Sequence, residues 1–264
     1  MTDPATKCFI QDYMAFNKSL KIPHPYFQQI EYVKVNSMII KEILKHRHER
    51  IVDVGSGIGH LIHGLSAVSD GCLALDIEAK RLILVRRKNP AIAGIYADGE
   101  KGLPFKDAAL DVVIASELLE HLNHPERFFR EVARVLKNGG ILVLTTPNSD
   151  NLTYRVLRAM PRGMAYRIAK RFGIDMKLHP GLLPEKEVDS ADPHAHKVEG
   201  YTRKELLHMG KNHGLRIIYL NSFGLPLPDK AYSRLPNSLI RFIVWYIEDH
   251  FPFALRHLMV YENK

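Results

Sequence analysis

The stretch Ile51-Val52-Asp53-Val54-Gly55-Ser56-Gly57-Ile58-Gly59-His60 constrains this chain more than any other. A short apolar run holding one acid breaks into a glycine-rich turn, and Leu61-Ile62-His63-Gly64-Leu65 resumes at helical spacing, which predicts strand, tight turn and helix. Glycine is needed there because the chain reverses partly with positive φ and because a ligand must reach the backbone with no Cβ in the way. The turn therefore opens an α/β sheet that takes a nucleotide-like cofactor.

The third glycine narrows the choice of cofactor. A dinucleotide fingerprint reads G-x-G-x-x-G, but here the spacing is G-x-G-x-G and His60 stands where the last glycine would be. Asp53 puts a carboxylate beside the turn, where a diphosphate is repelled and an ammonium group is welcome. S-adenosylmethionine carries an ammonium and a sulfonium and no phosphate. With Asp53-Val54-Gly55-Ser56-Gly57-Ile58-Gly59 matching D/E-x-G-x-G-x-G, the sequence resembles the class I S-adenosylmethionine-dependent methyltransferases.

The following strands extend this resemblance. Gly71-Cys72-Leu73-Ala74-Leu75-Asp76-Ile77 reads as a second strand closing on an acid about 20 residues after the turn, where a carboxylate accepts from both ribose hydroxyls. Asp76 takes that role, with Ile77 flanking the adenine. Ala93-Gly94-Ile95-Tyr96-Ala97 is a third strand ending on Asp98-Gly99, and in the family an acid there accepts from the adenine amino group. The fourth strand, Leu110 to Ala115, is apolar throughout, as suits a central parallel strand. It leads into Ser116-Glu117-Leu118-Leu119-Glu120-His121, which faces the methyl group and its acceptor. The expected cofactor contacts are thus Asp53, Gly55, Ser56, Gly57, Gly59, Asp76, Ile77, Asp98, Gly99 and Ser116. A helix from about Pro125 to Leu136, with Lys137-Asn138-Gly139-Gly140 as a left-handed cap, precedes a fifth strand, Ile141 to Thr146. From Leu110 to Asn148 the chain is similar to the type 11/12 methyltransferases, a group that includes ubiquinone-pathway O-methyltransferases and small-RNA 2′-O-methyltransferases.

Glu117-x-x-Glu120-His121 supports two readings. In one, Glu117, Glu120 and His121, joined by the distant His196, hold Mg2+ or another divalent ion that lowers the pKa of an acceptor hydroxyl. Both resembling groups carry such an E-x-x-E-H motif. In the other there is no metal, and His121 is the general base. Glu117 and His121 are the expected catalytic residues.

The flanking segments are less specific. Residues 1–30 carry Pro4, Pro23 and Pro25, which interrupt any long helix, and an amphipathic helix is expected over 30–47. Tyr26, Tyr32 and Lys34 either reach the cofactor's amino-acid end or pack that helix on the sheet. Residues 151–177 interleave Arg155, Arg158, Arg162, Arg167, Lys170, Arg171 and Lys177 with apolar side chains, as a lid or a face for an anionic bilayer would. Thr202 with Glu205 predicts a capping box, Gly214 a helix end, and Leu215 to Leu220 a sixth strand. The apolar run Ser238 to Asp249 contains Arg241 and is too short to span a membrane. Leu258-Met259-Val260-Tyr261 is expected to close the sheet as an antiparallel strand between the fifth and sixth.

The expected architecture is an α/β, Rossmann-like, seven-stranded and mostly parallel sheet with helices on both faces, an antiparallel last strand and a helical lid insertion. Its parts are an N-terminal helical segment 1–50, a cofactor-binding core 51–150, a basic insertion 151–200 and the rest of the core fold 201–264. Cys8 and Cys72 have no partner spacing, and the N-terminus lacks a signal-peptide pattern, so a reducing cytoplasm is expected. Peripheral contact with a membrane is the further expectation of the basic insertion. A net charge of +8 favours anionic partners. The expected activity is S-adenosylmethionine-dependent O-methylation of a small-molecule or lipid-linked acceptor. The alternatives are an RNA 2′-O-methyltransferase using a divalent metal, against which no aromatic stacking platform is visible, and a catalytically silent cofactor-binding protein.

Overall fold

The computed structural model describes residues 4–20, 26–45, 48–151, 155–157, 159–172, 200–223, 235–242 and 254–264. Two helices, α1 (Pro4–Leu20) and α2 (Tyr26–Ile43), lead into β1 (Ile51–Val54) and α3 (His60–Leu65). Next come β2 (Cys72–Asp76), α4 (Ala79–Lys88), β3 (Ala93–Tyr96) and β4 (Leu110–Ser116), then a short 3-10 turn, Leu119–His121. The chain continues through α5 (Pro125–Val135), β5 (Leu136–Pro147), α6 (Arg162–Phe172), α7 (Arg203–Asn212), β6 (Leu215–Phe223), α8 (Asn237–Phe242) and β7 (Arg256–Asn263).

The seven strands form one sheet in the order β3-β2-β1-β4-β5-β7-β6. β1 pairs in parallel with β2 and β4, β2 with β3, and β4 with β5, whereas β7 runs antiparallel between β5 and β6. Apolar side chains on both faces make this arrangement stable. On one face Ile51, Val112, Ile114, Ile141 and Val143 pack under α1 to α4 with Phe9, Ile39 and Ile62. On the other, Val52, Val113, Leu142 and Tyr261 meet Phe128, Phe129 and Val132 of α5 and Leu206 of α7. The Phe129 and Tyr261 rings meet edge to face, centroids 5.6 Å apart.

Several expectations are corrected. Pro4 is the first residue of α1, since proline is accepted in a first turn whose N–H has no acceptor, and Pro23 and Pro25 lie outside the described residues. The second helix begins at Tyr26 and ends at Ile43, not 30–47. Lys137 to Gly140 form no helix cap: α5 stops at Val135, Leu136 is already extended, and β5 begins there. Leu110 pairs with Leu136 and Val112 with Ile141, so these four residues bulge out opposite Asp111, which takes the Lys137 ammonium at 2.7 Å.

Thr202 and Glu205 form the capping box, and Gly214, at φ +77°, follows the end of α7. α6 starts directly after Pro161. Most of the Ser238 to Asp249 run lies outside the described residues, and among those described no helix is long and apolar enough to cross a membrane. Cys8 and Cys72 are both free, and burial pushes the Cys72 thiol up to about 12.

Candidate active site

The parallel pairing carries the ends of β1, β2, β3 and β4 to one edge of the sheet, so the loops that follow them are neighbours. There the turn Gly55 to Gly59 leaves β1 with Gly55, Gly57 and Gly59 all at positive φ. At Gly57 a Cβ would meet nothing within 4 Å, so this position needs glycine for its backbone (φ +55°) and leaves open space beside the peptide. The Gly55 and Ser56 N–H groups donate to the Leu75 carbonyl, 2.8 and 3.1 Å away, which hangs the turn on β2.

Asp76 completes that attachment. Its carboxylate is buried and accepts from the Gly57 N–H and the Glu78 N–H, each at 2.8 Å. Asp53 lies beneath the turn, 4% exposed. Burial, and then the charge of Asp76, push its carboxyl up to about 7. A cation binding nearby would relieve both effects, which suits a ligand with an ammonium group. Ile77 is 57% exposed at the end of β2, an apolar surface ready for a ring. Asp98 accepts from the Glu100 N–H at 3.0 Å and lies 3.4 Å from Lys101. Gly99 backs onto Val54.

Beyond β4 the chain turns sharply. Glu117 has φ +51°, a conformation disfavoured for a residue with a side chain, and its N–H is tied to the Thr145 carbonyl at 3.0 Å and the Thr145 hydroxyl at 3.1 Å. The same hydroxyl meets Ser116 Oγ at 3.0 Å. Glu117 Oε2 accepts from Arg256 Nε at 3.1 Å, while Oε1 is buried and has no hydrogen-bond partner. Glu120 points into a different environment: it is buried, accepts from Thr146 Oγ1 at 3.1 Å, and is held above the usual carboxylate range by burial and then by the Glu117 charge. His121 sits exposed on the 3-10 turn.

Among the described residues Glu117 and Glu120 of the E-x-x-E-H motif have separate partners. Glu117 is committed to an arginine, Glu120 is held toward its neutral form against a threonine, and His196 lies outside the described residues. Among the described residues no three His, Cys, Asp or Glu side chains come together to hold an ion. Tyr32 packs its ring on Phe9, centroids 5.8 Å apart, as expected of a packing residue; the Tyr26 side chain is outside the description. Sequence reasoning missed Arg256, Thr145 and Thr146. Arg256 had no local signal, since its partner is 139 residues away.

An α/β sheet of this order, with a glycine turn after β1 and an acid closing β2, defines a nucleotide-cofactor domain. Residues 52–144 match the family described as Methyltransferase domain. A Mycobacterium tuberculosis (strain ATCC 25618 / H37Rv) protein bearing the name Probable S-adenosylmethionine-dependent methyltransferase is 34% identical over 98 residues, which is 37% of this chain and 35% of that one. The mitochondrial ubiquinone biosynthesis O-methyltransferase of Mus musculus is 30% identical over 112 residues, 40% of this chain and 30% of its own. The match thus spans about a third of these relatives' length. The crystal structure of a SAM dependent methyltransferase from Archaeoglobus fulgidus shares the fold, with a TM-score of 0.55 at 17% identity over 86% of this chain and 92% of that one. Residues 52–144 thus carry a methyltransferase domain similar to that of the S-adenosylmethionine-dependent methyltransferases, within a chain that shares their fold.

Proposed function

We propose that the protein transfers the methyl group of S-adenosylmethionine to an oxygen of a small-molecule or lipid-linked acceptor. One observation carries this reading: at the same sheet edge as the Gly57 and Asp76 cradle, Glu117 holds a buried carboxylate oxygen that has no donor. Burying such an oxygen unpaired costs about 1–3 kcal/mol, a cost that an incoming hydroxyl would remove. The cofactor, when bound, supplies an already activated methyl on a sulfonium. The protein's part is to align the acceptor and receive its proton.

In this reading Asp76 holds the ribose hydroxyls, Asp53 faces the cofactor's ammonium, Asp98 takes the adenine amino group and Ile77 flanks the ring. Glu117 Oε1 receives the hydrogen bond of the acceptor hydroxyl. The acceptor oxygen forms the new O–CH3 bond as the S–CH3 bond breaks, sulfur keeps the electron pair, and the hydroxyl proton leaves by way of Glu117 and the exposed His121. No metal is needed in this scheme.

Support for an anionic surface comes from the segment before and within α6, where Val156 and Met164 are 43% and 44% exposed among the exposed cations Arg155, Arg167 and Arg171. A second reading, methylation of RNA, is favoured by α4, whose exposed Lys80, Arg86 and Arg87 have no acidic partner among the described residues. Labelled S-adenosylmethionine, given with a cell extract and with or without chelator, separates these readings. Label in the lipid or small-molecule fraction, resistant to chelator and lost in Glu117→Gln, is the expected result. Label in RNA would replace the first reading by the second, and cofactor binding without transfer would mark a silent protein.

A further inference from the structure

α1 lies antiparallel along α3. At Gly64 the two helices touch so closely that a Cβ would stand 2.8 Å from the Cβ of the fully buried Phe9. Cys8 Sγ reaches the His63 carbonyl at 3.8 Å, and one turn further along α1 Asp12 meets His60. Numbers rise along α1 as they fall along α3, so the contact ends at the first residue of α3. That residue directly follows Gly59.

Asp12 joins three elements there. Its Oδ2 receives the His60 ring at Nδ1 and the Lys88 ammonium at 3.1 Å, which ties α1 to the start of α3 and to the last residue of α4. Burial opposes ionisation of Asp12, but the His60 hydrogen bond and charge, and then Lys88, outweigh it and hold the carboxyl below its usual range. An ionised carboxylate can only accept, so Nδ1 carries the hydrogen. The two side chains are 6% and 12% exposed, which keeps the contact largely out of water.

The glycine turn is thus held at both ends. Its near end hangs on Leu75 and Asp76 of β2. Its far end is His60, gripped by a residue of the N-terminal helix. We propose that Asp12 is a positioning residue for cofactor binding, which through His60 keeps the far end of the glycine turn in its ligand-accepting shape. Docking of α1 and binding of the cofactor are then coupled, and the coupling is reciprocal: each strengthens the other by the same factor. This rests on the reading that the turn receives S-adenosylmethionine.

The test is a double-mutant cycle on S-adenosylhomocysteine affinity, measured by calorimetry on the full chain, for wild type, Asp12→Asn, His60→Asn and the pair. Asp12→Asn is expected to weaken binding about tenfold, within the usual range of coupling between sites. The double variant should bind no more weakly than the worse single one, because both remove the same contact. Backbone hydrogen exchange supplies the second readout: saturating ligand should protect residues 4–20 in wild type and do so far less in Asp12→Asn. A helix that served only stability would give ligand-independent exchange and additive losses, and either would overturn the proposal. So would wild-type affinity in Asp12→Asn. Should that variant not fold, Lys88→Met, which removes only the outer partner, is expected to weaken binding about threefold, and unchanged affinity there refutes the coupling. Absence of ligand binding by wild type would instead refute the cofactor reading itself.

Discussion

Glu117 and Arg256 are 139 residues apart in sequence and meet at 3.1 Å, Glu117 leaving β4 and Arg256 opening β7. The strand between them, β5, supplies the threonine that fixes the Glu117 backbone. One carboxylate oxygen is bound by the arginine, and the other is buried with no hydrogen-bond partner. About a third of each side chain is exposed, so the ion pair itself contributes only about 1 kcal/mol or less to stability. Arg256→Gln should therefore fold with nearly the wild-type melting temperature. It should lower methyl transfer about tenfold or more by freeing Glu117 to turn away. Cofactor affinity should not change, and a parallel loss of affinity for S-adenosylhomocysteine would remove Arg256 from the acceptor side.

Asp76 holds the Gly57 N–H, and in the proposed reading it also meets the ribose. Asp76→Ala leaves both hydroxyls and the turn unpaired and should weaken cofactor binding by about 1–3 kcal/mol. Calorimetry with S-adenosylhomocysteine reads this directly. Wild-type affinity in the variant would exclude Asp76 from the cofactor site.

Asp53 makes stability and binding oppose each other. Its carboxyl is neutral in the folded protein up to about pH 7 because of burial and then Asp76, whereas an unfolded chain releases that proton near pH 4. The folded state holds the extra proton between these values, so stability falls as pH rises through the window, and the full penalty remains above it. Asp53→Asn should melt higher than wild type at about pH 8, match it at about pH 4, and bind the cofactor less tightly. A melting difference that ignores pH would show that Asp53 is not the titrating group.

His257 works in the opposite direction. Burial lowers its imidazole to about 4; Nδ1 meets Ser222 Oγ at 2.9 Å, and Nε2 is buried with no hydrogen-bond partner. The folded protein keeps this ring neutral while the unfolded chain takes up a proton below about pH 6.5. Stability is therefore present above that value and lost as pH falls toward 4. Denaturant unfolding at about pH 7 and about pH 5 should show this loss in wild type and a smaller one in His257→Gln; an equal loss in both would assign the acid sensitivity elsewhere.

Local chemistry written into the sequence determined the glycine turn after β1 and the acid that closes β2. Asp53 and the three glycines lie within one strand-turn-helix unit, and Asp76 joins them through the parallel pairing of β1 with β2. The parallel strands were legible because residues buried on both faces read as continuous apolar runs, and the Thr202 capping box because its bonds close within one turn. Tertiary structure alone decided the surroundings of the E-x-x-E-H motif. Glu117 and Glu120 belong to one motif, yet the positive φ at Glu117 and the pairing of β4, β5 and β7 send one to Arg256 and the other to Thr146. The same holds for Asp12, whose aim at His60 depends on how α1 crosses α3. Spacing along a sequence fixes groups that share an element, but the partners of a buried charge are set by which distant strand or helix packs beside it.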